Sequence, residues 1–391
     1  MKHAASPLPA VAHVMECFLS PTETFIHDYL VAFRSVRPVV IARQLANQER
    51  FPLPAAAVVR RSPPRRGTIA WAVSALARRV QGGNPHMRRI LRREGVRLMH
   101  AHFGPTACGL LDLRREVGLP LVTSFYGYDV SIAGVLKEFH DAYRRLFDLG
   151  DAFLVEGSAM RRTLETLGCP SSRIRIQRIA VDPSRYRFAE RSEPGGGEIV
   201  ILQCGRMVPK KGFPETVNAF AKVRARHPRA RLRLVGDGPE RPRVEEAIRA
   251  LDLGAAVTLT GALSREALFA EMDRAHIYVQ PSRVAPDGDS EGGAPTTLLE
   301  AQACGLPVLS TLHADIPEIV QAGRSALLVP EGDADALATE MERLVARPDL
   351  WGAMGRAGRA HIEENHDVRR RARELEILYA RLAETGRLPP S

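Results

Sequence analysis

Residues 276–311 read HIYVQPSRVAPDGDSEGGAPTTLLEAQACGLPVLST, and their order decides the fold. His276 to Val279 is a short β-branched and aromatic run, the pattern of a buried strand. Pro281, Pro286, Gly288, Asp289, Gly292 and Gly293 then forbid regular structure. Pro295 suits a first helical position, because its missing N–H would be unpaired there anyway. The helix runs through Thr296, Thr297, Leu298, Leu299 and Glu300 and stops at Gly305, with Pro307 just beyond. Pro307 to Ser310 is a second strand, which completes one βαβ unit. Such a unit points backbone N–H groups and the positive end of a helix dipole out of its loop, and that attracts a phosphate. Glu291 and Glu300 bracket the phosphate position. A carboxylate would repel the anion, so its natural partners are hydroxyls, and phosphate plus hydroxyls describes a nucleotide sugar. From spacing alone, a solvated loop acid and a helix-surface acid account for the two glutamates equally well.

The same α/β pattern extends on both sides. Upstream, Ile199 to Gln203 is a strand, followed by the basic loop Gly205-Arg206-Met207-Val208-Pro209-Lys210-Lys211-Gly212 and a helix from Phe213 to Val223. Arg206 and Lys211 leave the strand together beside a helix N-terminus, where a diphosphate leaving group needs two cations. Strands at 232–235, 257–259 and 326–329 continue the series, and charged amphipathic helices near 349–364 and 367–384 close it. The segment AERSEPGGG (189–197) has the composition of a linker. Before it, strands at 11–15, 96–100, 121–125 and 153–155 recur, with a loop at 59–67 and basic helical segments near 68–80 and 86–94. Three of these strands end in polar residues that line the binding crevice of a parallel sheet. His102, Tyr126, Asp129 and Glu156 are therefore candidates for an acceptor side, although each alone fits a cap or a structural hydrogen-bond partner.

At 391 residues the chain is long enough for two or three domains, and its 45% hydrophobic and 26% charged content is that of a globular protein. A net charge of +10 favours anionic partners. Arginines cluster at 60, 61, 65, 66, 78, 79, 88, 89, 92 and 93. They fit solvated helix faces, and they also fit a face lying against anionic lipid. Aromatic residues make up only 6% and do not interleave with the arginines, so nucleic-acid recognition is not expected. Five dispersed cysteines lack metal-ligand spacing and suit a reducing compartment. The N-terminal stretch makes a poor signal peptide and no apolar run is long enough to span a bilayer, so a cytoplasmic location is expected.

Taken together, the motifs resemble the retaining glycosyltransferases of family 4. The resemblance rests on GRMVPKKGF (205–213), LVGDGPE (234–240), IYVQPS (277–282), EGGAPTTLLEAQACGLPV (291–308), HADIPEIV (313–320) and LLVPEGDADALA (327–338). ETFI (23–26), HAHFG (100–104) and FYGYDVS (125–131) resemble the branch that builds bacterial exopolysaccharides such as colanic acid.

The resemblance implies a GT-B fold of class α/β, with two Rossmann-like domains facing across a cleft and a C-terminal helix returning to the N-terminal domain. Residues 1–188 with 367–391 would form the acceptor-side domain, 189–197 the linker and 198–366 the donor-binding domain. Gly205, Arg206, Lys211, Glu291, Gly293, Ala294, Pro295, Thr296, Thr297 and Glu300 match the donor-site motif. Within it Arg206 and Lys211 would grip the diphosphate, Glu300 the ribose hydroxyls and Glu291 the donor sugar. His102, Tyr126, Asp129 and Glu156 would face the acceptor.

The implied reaction is sugar transfer with retention from a nucleotide diphosphate sugar to a hydroxyl acceptor, lipid-linked or soluble, at the inner face of the plasma membrane. No cofactor and no metal are expected, since no Asp-x-Asp pair sits at a strand end. A nucleotide-sugar epimerase of the same fold and a non-catalytic sugar- or nucleotide-binding protein are the alternative readings. The chain departs from the family in having eight residues between its two glutamates (292–299) where seven are usual. It also has Tyr126 in place of a histidine and Phe18-Leu19-Ser20-Pro21-Thr22 in place of a glycine pair.

Overall fold

The computed structural model describes residues 8–20, 23–54, 57–61 and 84–388. The basic segment near 68–80, with Arg65, Arg66, Arg78 and Arg79, lies outside them.

The chain divides into two compact units, one comprising residues 1–130, 134–180 and 368–391, the other 131–133 and 181–367. The first contains a seven-stranded parallel sheet. Its strands are β1 (Ala10–Phe18), β2 (Arg37–Leu45), β3 (Val58–Arg61), β4 (Val96–His102), β5 (Leu121–Ser124), β6 (Ala152–Val155) and β7 (Ile174–Ile176), in the order β3-β2-β1-β4-β5-β6-β7. The second has six parallel strands: β8 (Ile199–Cys204), β9 (Ala230–Val235), β10 (Val257–Gly261), β11 (Ile277–Gln280), β12 (Val308–Thr311) and β13 (Ala326–Val329). Their order is β10-β9-β8-β11-β12-β13. Both sheets reverse direction of growth once, between β1 and β4 and between β8 and β11. At such a switch point the loops beyond the strand carboxyl ends splay apart and leave a crevice.

The strands read as continuous apolar runs because helices cover both faces of each sheet. In the first unit Met99, Phe125, Phe147 and Phe153 belong to the core on one face. The other face buries Val11, Ile26, Leu30 and Val40 against Leu375, Leu378, Tyr379 and Leu382 of the helix Val368–Thr385. Each such side chain contributes about 1.5–3 kcal/mol by leaving water. That helix is also pinned by Glu376, whose Oε1 accepts from the N–H groups of Arg34 (2.7 Å), Ser35 (2.6 Å) and Val36 (3.2 Å). These amides lie in the segment just after the helix Thr24–Ala32 and its cap residue Phe33. The last helix therefore belongs to the first unit.

Three strands go beyond the sequence reading. The 59–67 loop gives way to β3 at its start, where Val39 to Ala42 pair with Val58 to Arg61. β2 and β7 were not anticipated either. The proposed linker 189–197 is part of the second unit, where Arg191 is buried and donates to the carbonyls of Asp273 (2.6 Å), Met272 (3.2 Å) and Cys304 (3.1 Å). Among the described residues no helix is long and apolar enough to cross a membrane. The helix Pro85–Arg93 buries Met87, Ile90 and Leu91 and leaves Arg89, Arg92 and Arg93 exposed.

Candidate functional site

The switch point of the second sheet brings two loops together. One leaves β8 and carries Gly205, Arg206, Lys210 and Lys211. The other leaves β11 and runs from Pro281 to Pro295. Their approach depends on Gly212, whose φ is +65° and whose added Cβ would stand 2.3 Å from the carbonyl oxygen of Pro281. A side chain there would force the loops apart.

Two ion pairs join the loops. Lys210 Nζ contacts Asp289 Oδ1 at 2.9 Å and the Ser290 carbonyl at 2.8 Å. Lys211 Nζ contacts Glu291 Oε2 at 2.8 Å, and its stem lies over Gly205, 3.8 Å from where a Cβ would be. The other oxygen of Glu291 accepts from Ser282 Oγ at 2.7 Å and Gln280 Nε2 at 3.3 Å. Its own N–H donates to His313 Nε2 at 3.2 Å. Burial would raise the Glu291 carboxyl, but the charges of Lys211 and Lys210 and the hydrogen bonds from Lys211 and Ser282 outweigh it and hold the group below the usual carboxylate range. Glu291 is thus an anion fixed in place despite the extra residue in the loop. Within the loop Gly292 adopts a φ of +74° and the Gly293 carbonyl accepts from Asp315 N–H.

The helix that follows is Thr296–Ala303, with Pro295 as its cap residue rather than its first helical position, and no side chain caps it. The N–H groups of Thr296 and Thr297 open this helix beside Gly293 and Ala294, and Thr297 Oγ1 is turned to Gln280 Oε1 at 2.8 Å. Gln280 therefore braces both the helix start and Glu291. Within the helix, Glu300 is buried and accepts from Tyr186 Oη at 3.0 Å, which in turn accepts from Arg265 Nη2 at 3.2 Å. Arg206 is exposed and forms no ion pair among the described residues.

Gln280, Ser282, His313 and Tyr186 escaped the sequence reading. Gln280 and Ser282 lie within the strand-loop motif and could have been found by asking what satisfies a buried glutamate. Tyr186 lies 114 residues from its partner and carries no local signal.

In the first unit His102, Tyr126 and Glu156 line one cavity. His102 Nδ1 lies 2.9 Å from Tyr126 Oη. Asp129 is placed differently from the acceptor-facing expectation. It is fully buried, and its carboxylate accepts from the N–H groups of Gly104 (3.0 Å), Tyr126 (3.1 Å) and Gly127 (3.1 Å). It ties the two loops after β4 and β5 together instead of presenting a free carboxylate.

Comparison with known proteins places these motifs in context. Residues 26–185 match the family model for "Glycosyltransferase Family 4" and residues 185–361 that for "Glycosyl transferases group 1". A Salmonella typhimurium protein named for colanic acid biosynthesis, WcaL, is 35% identical over 62% of this chain and 59% of its own length. The chain thus spans under two thirds of that relative. The amylovoran biosynthesis glycosyltransferase AmsK of Erwinia amylovora is 32% identical over 72% of this chain and 69% of its own. Among solved structures, Anabaena HepE in complex with UDP and glucose superposes with a TM-score of 0.75 at 15% identity, covering 95% of this chain and 99% of that one. At that identity the likeness establishes the GT-B fold.

Proposed function

This chain belongs to the family 4 glycosyltransferases, in the branch of the exopolysaccharide enzymes, and we propose that it transfers a sugar from a nucleotide diphosphate sugar to a hydroxyl acceptor with retention. The observation that carries this reading is the fixed Lys211–Glu291 pair beside the uncapped start of the helix that also bears Glu300. One compact site then offers cations and N–H groups for a diphosphate, and two carboxylates for hydroxyls.

In the proposed reaction the acceptor oxygen attacks the anomeric carbon on the face the leaving group departs from. The bond from that carbon to the diphosphate oxygen breaks as the new glycosidic bond forms. The acceptor proton passes to the departing phosphate oxygen. Lys211, Arg206 and the N–H groups of Thr296 and Thr297 stabilise the developing charge, the kind of preorganised stabilisation that accounts for much of enzymatic rate acceleration. These groups act without a metal. Glu300 holds the ribose and Glu291 the donor sugar. The acceptor is a glycan carried on a lipid, and the exposed arginines of Pro85–Arg93 suit contact with an anionic membrane face.

A panel of UDP-, GDP-, ADP- and TDP-sugars tests the reading, scored by thermal shift and by nucleotide release without added metal. HepE, bound to UDP and glucose, makes UDP-glucose the first donor to try. One donor class should stabilise the protein in proportion to the logarithm of its concentration. A donor converted to another sugar nucleotide without any acceptor would identify an epimerase instead. No shift with any donor would leave a binding protein without this activity.

A further inference from the structure

The first unit holds a side-chain cluster that the donor chemistry does not use. His13 lies on β1, and His100 and His102 lie two residues apart on β4, so the latter two share one face of the sheet. The strand register sets His13 beside His100. All three are at most 4% exposed. His13 Nδ1 is 3.1 Å from His102 Nε2, and one nitrogen from each ring lies within 4.8 Å of the others.

We propose that His13, His100 and His102 form a binding site for one divalent transition-metal ion of the zinc class. Three imidazoles with no carboxylate ligand select such ions over magnesium or calcium. Burial disfavours the imidazolium at every position, and this keeps the rings in the neutral form that ligates metal. A tetrahedral ion with bonds of about 2.0–2.1 Å sets its ligand nitrogens about 3.4 Å apart. The His13–His102 separation is already close to this, and the widest separation closes by tilting a ring.

An outer shell is in place. Tyr126 Oη holds His102 Nδ1, which directs Nε2 into the cluster. His100 is bracketed by Tyr379 Oη at 2.5 Å and Ser124 Oγ at 2.7 Å. It can exchange one hydroxyl for the ion and keep the other as the partner that metal-bound histidines generally retain. His13 Nε2, by contrast, has no hydrogen-bond partner among the described residues. A cavity of about 30 Å³, lined by the three histidines with Tyr29, Tyr126 and Glu156, adjoins the cluster. It has room for a water as fourth ligand. The cluster also lies where β1 meets β4, the switch point of its own sheet.

The test uses the untagged full chain, stripped with a chelator and titrated with Co²⁺ as a spectroscopic stand-in, then with Zn²⁺ in competition with a chromophoric chelator. Saturation at one equivalent is expected, with the ligand-field bands of a four-coordinate nitrogen site and a raised unfolding temperature. His13→Asn and His102→Gln should each weaken binding by about 100-fold or more, whereas the exposed His140→Ala should leave it unchanged. Wild-type protein that takes up no ion overturns the proposal, as does uptake unaltered in both cluster variants. If a variant fails to fold, X-ray absorption on the cobalt-loaded wild type decides by counting imidazole nitrogens. Fewer than three overturns the site.

Discussion

Lys211 Nζ stands 2.8 Å from Glu291 Oε2, with 16% and 6% of the two side chains exposed. The cation assigned to the diphosphate is thus already neutralised by the acid assigned to the sugar. Donor binding must share this ammonium between a carboxylate and a phosphate.

Lys211→Ala should lower turnover by about 10²–10³-fold, the usual effect of removing one donor to a developing oxyanion. It should also cost about 3 kcal/mol of stability, because Glu291 becomes a buried charge without its main partner. Adding Glu291→Gln should restore the stability and leave turnover low. Initial rates and urea unfolding on the single and double variants check this. Normal turnover in Lys211→Ala would remove the lysine from the mechanism.

Tyr186 Oη donates a hydrogen bond of 3.0 Å to the Glu300 carboxylate. Losing a bond of this kind is worth about 1 kcal/mol. Tyr186→Phe should therefore raise the donor KM roughly fivefold at nearly constant kcat, the signature of lost uniform binding. Glu300→Ala should abolish the nucleotide-induced thermal shift altogether. A Tyr186→Phe enzyme with wild-type KM would show that the tyrosine does not set the carboxylate's position.

Burial drives His102 down to about 3, and burial followed by neighbouring imidazole charge pushes His13 and His100 well below 6.5. In the unfolded chain these rings take up protons near pH 6.5 that the native state refuses, so their stabilisation is complete above that pH and lost as pH falls. Asp129 acts in the opposite sense. Burial lifts its carboxyl to about 6 against four backbone hydrogen bonds, so between about pH 4 and 6 the native state holds a proton the unfolded chain releases. The three rings act together against a single carboxyl, so stability should fall as the pH drops below about 6.5. Hydrogen exchange of β1 and β4 amides, run with chelator present, should show the decline. It should be shallower by about one proton in His102→Asn. Constant protection from pH 6.5 to 5 would contradict the neutral, buried assignment.

Gly212→Ala should separate the two donor loops, since its Cβ would meet the Pro281 carbonyl at 2.3 Å from a backbone with φ of +65°. The left-handed conformation alone costs about 1–2 kcal/mol, and the clash adds to it. Donor affinity and melting temperature should fall together. Gly254→Ala, which meets nothing within 4 Å, serves as the neutral comparison. A Gly212→Ala protein that binds donor normally would mean the loops tolerate a wider gap.

The parallel sheets were legible because their strands are buried on both faces and so read as apolar runs with glycine or proline at their ends. β2 and β3 were obscured by flanking arginines, Arg37 and Arg43 in one and Arg60 and Arg61 in the other. Glu94 takes Arg37 and Arg60 as ion-pair partners, which no local pattern announces. The donor motif was readable as a set of residue types at fixed spacing, but its braces were not. Lys211 meets Glu291 across 80 residues, and His13 meets His102 across 89. His100 and His102 share one face of β4, a spacing visible in the sequence but not read there as a cluster. The third histidine, His13, joins them only through strand order.

The helix Val368–Thr385 completes the core of a unit whose other parts end at Ala180. At about 5–20 residues per second, a ribosome needs roughly 10–40 s to add the intervening chain. Throughout that interval Ile26, Leu30 and Val40 have no Leu375, Leu378 or Tyr379 to pack against. The part made first must therefore be protected longest on the ribosome, and its closure is timed by the last segment of the two units to emerge.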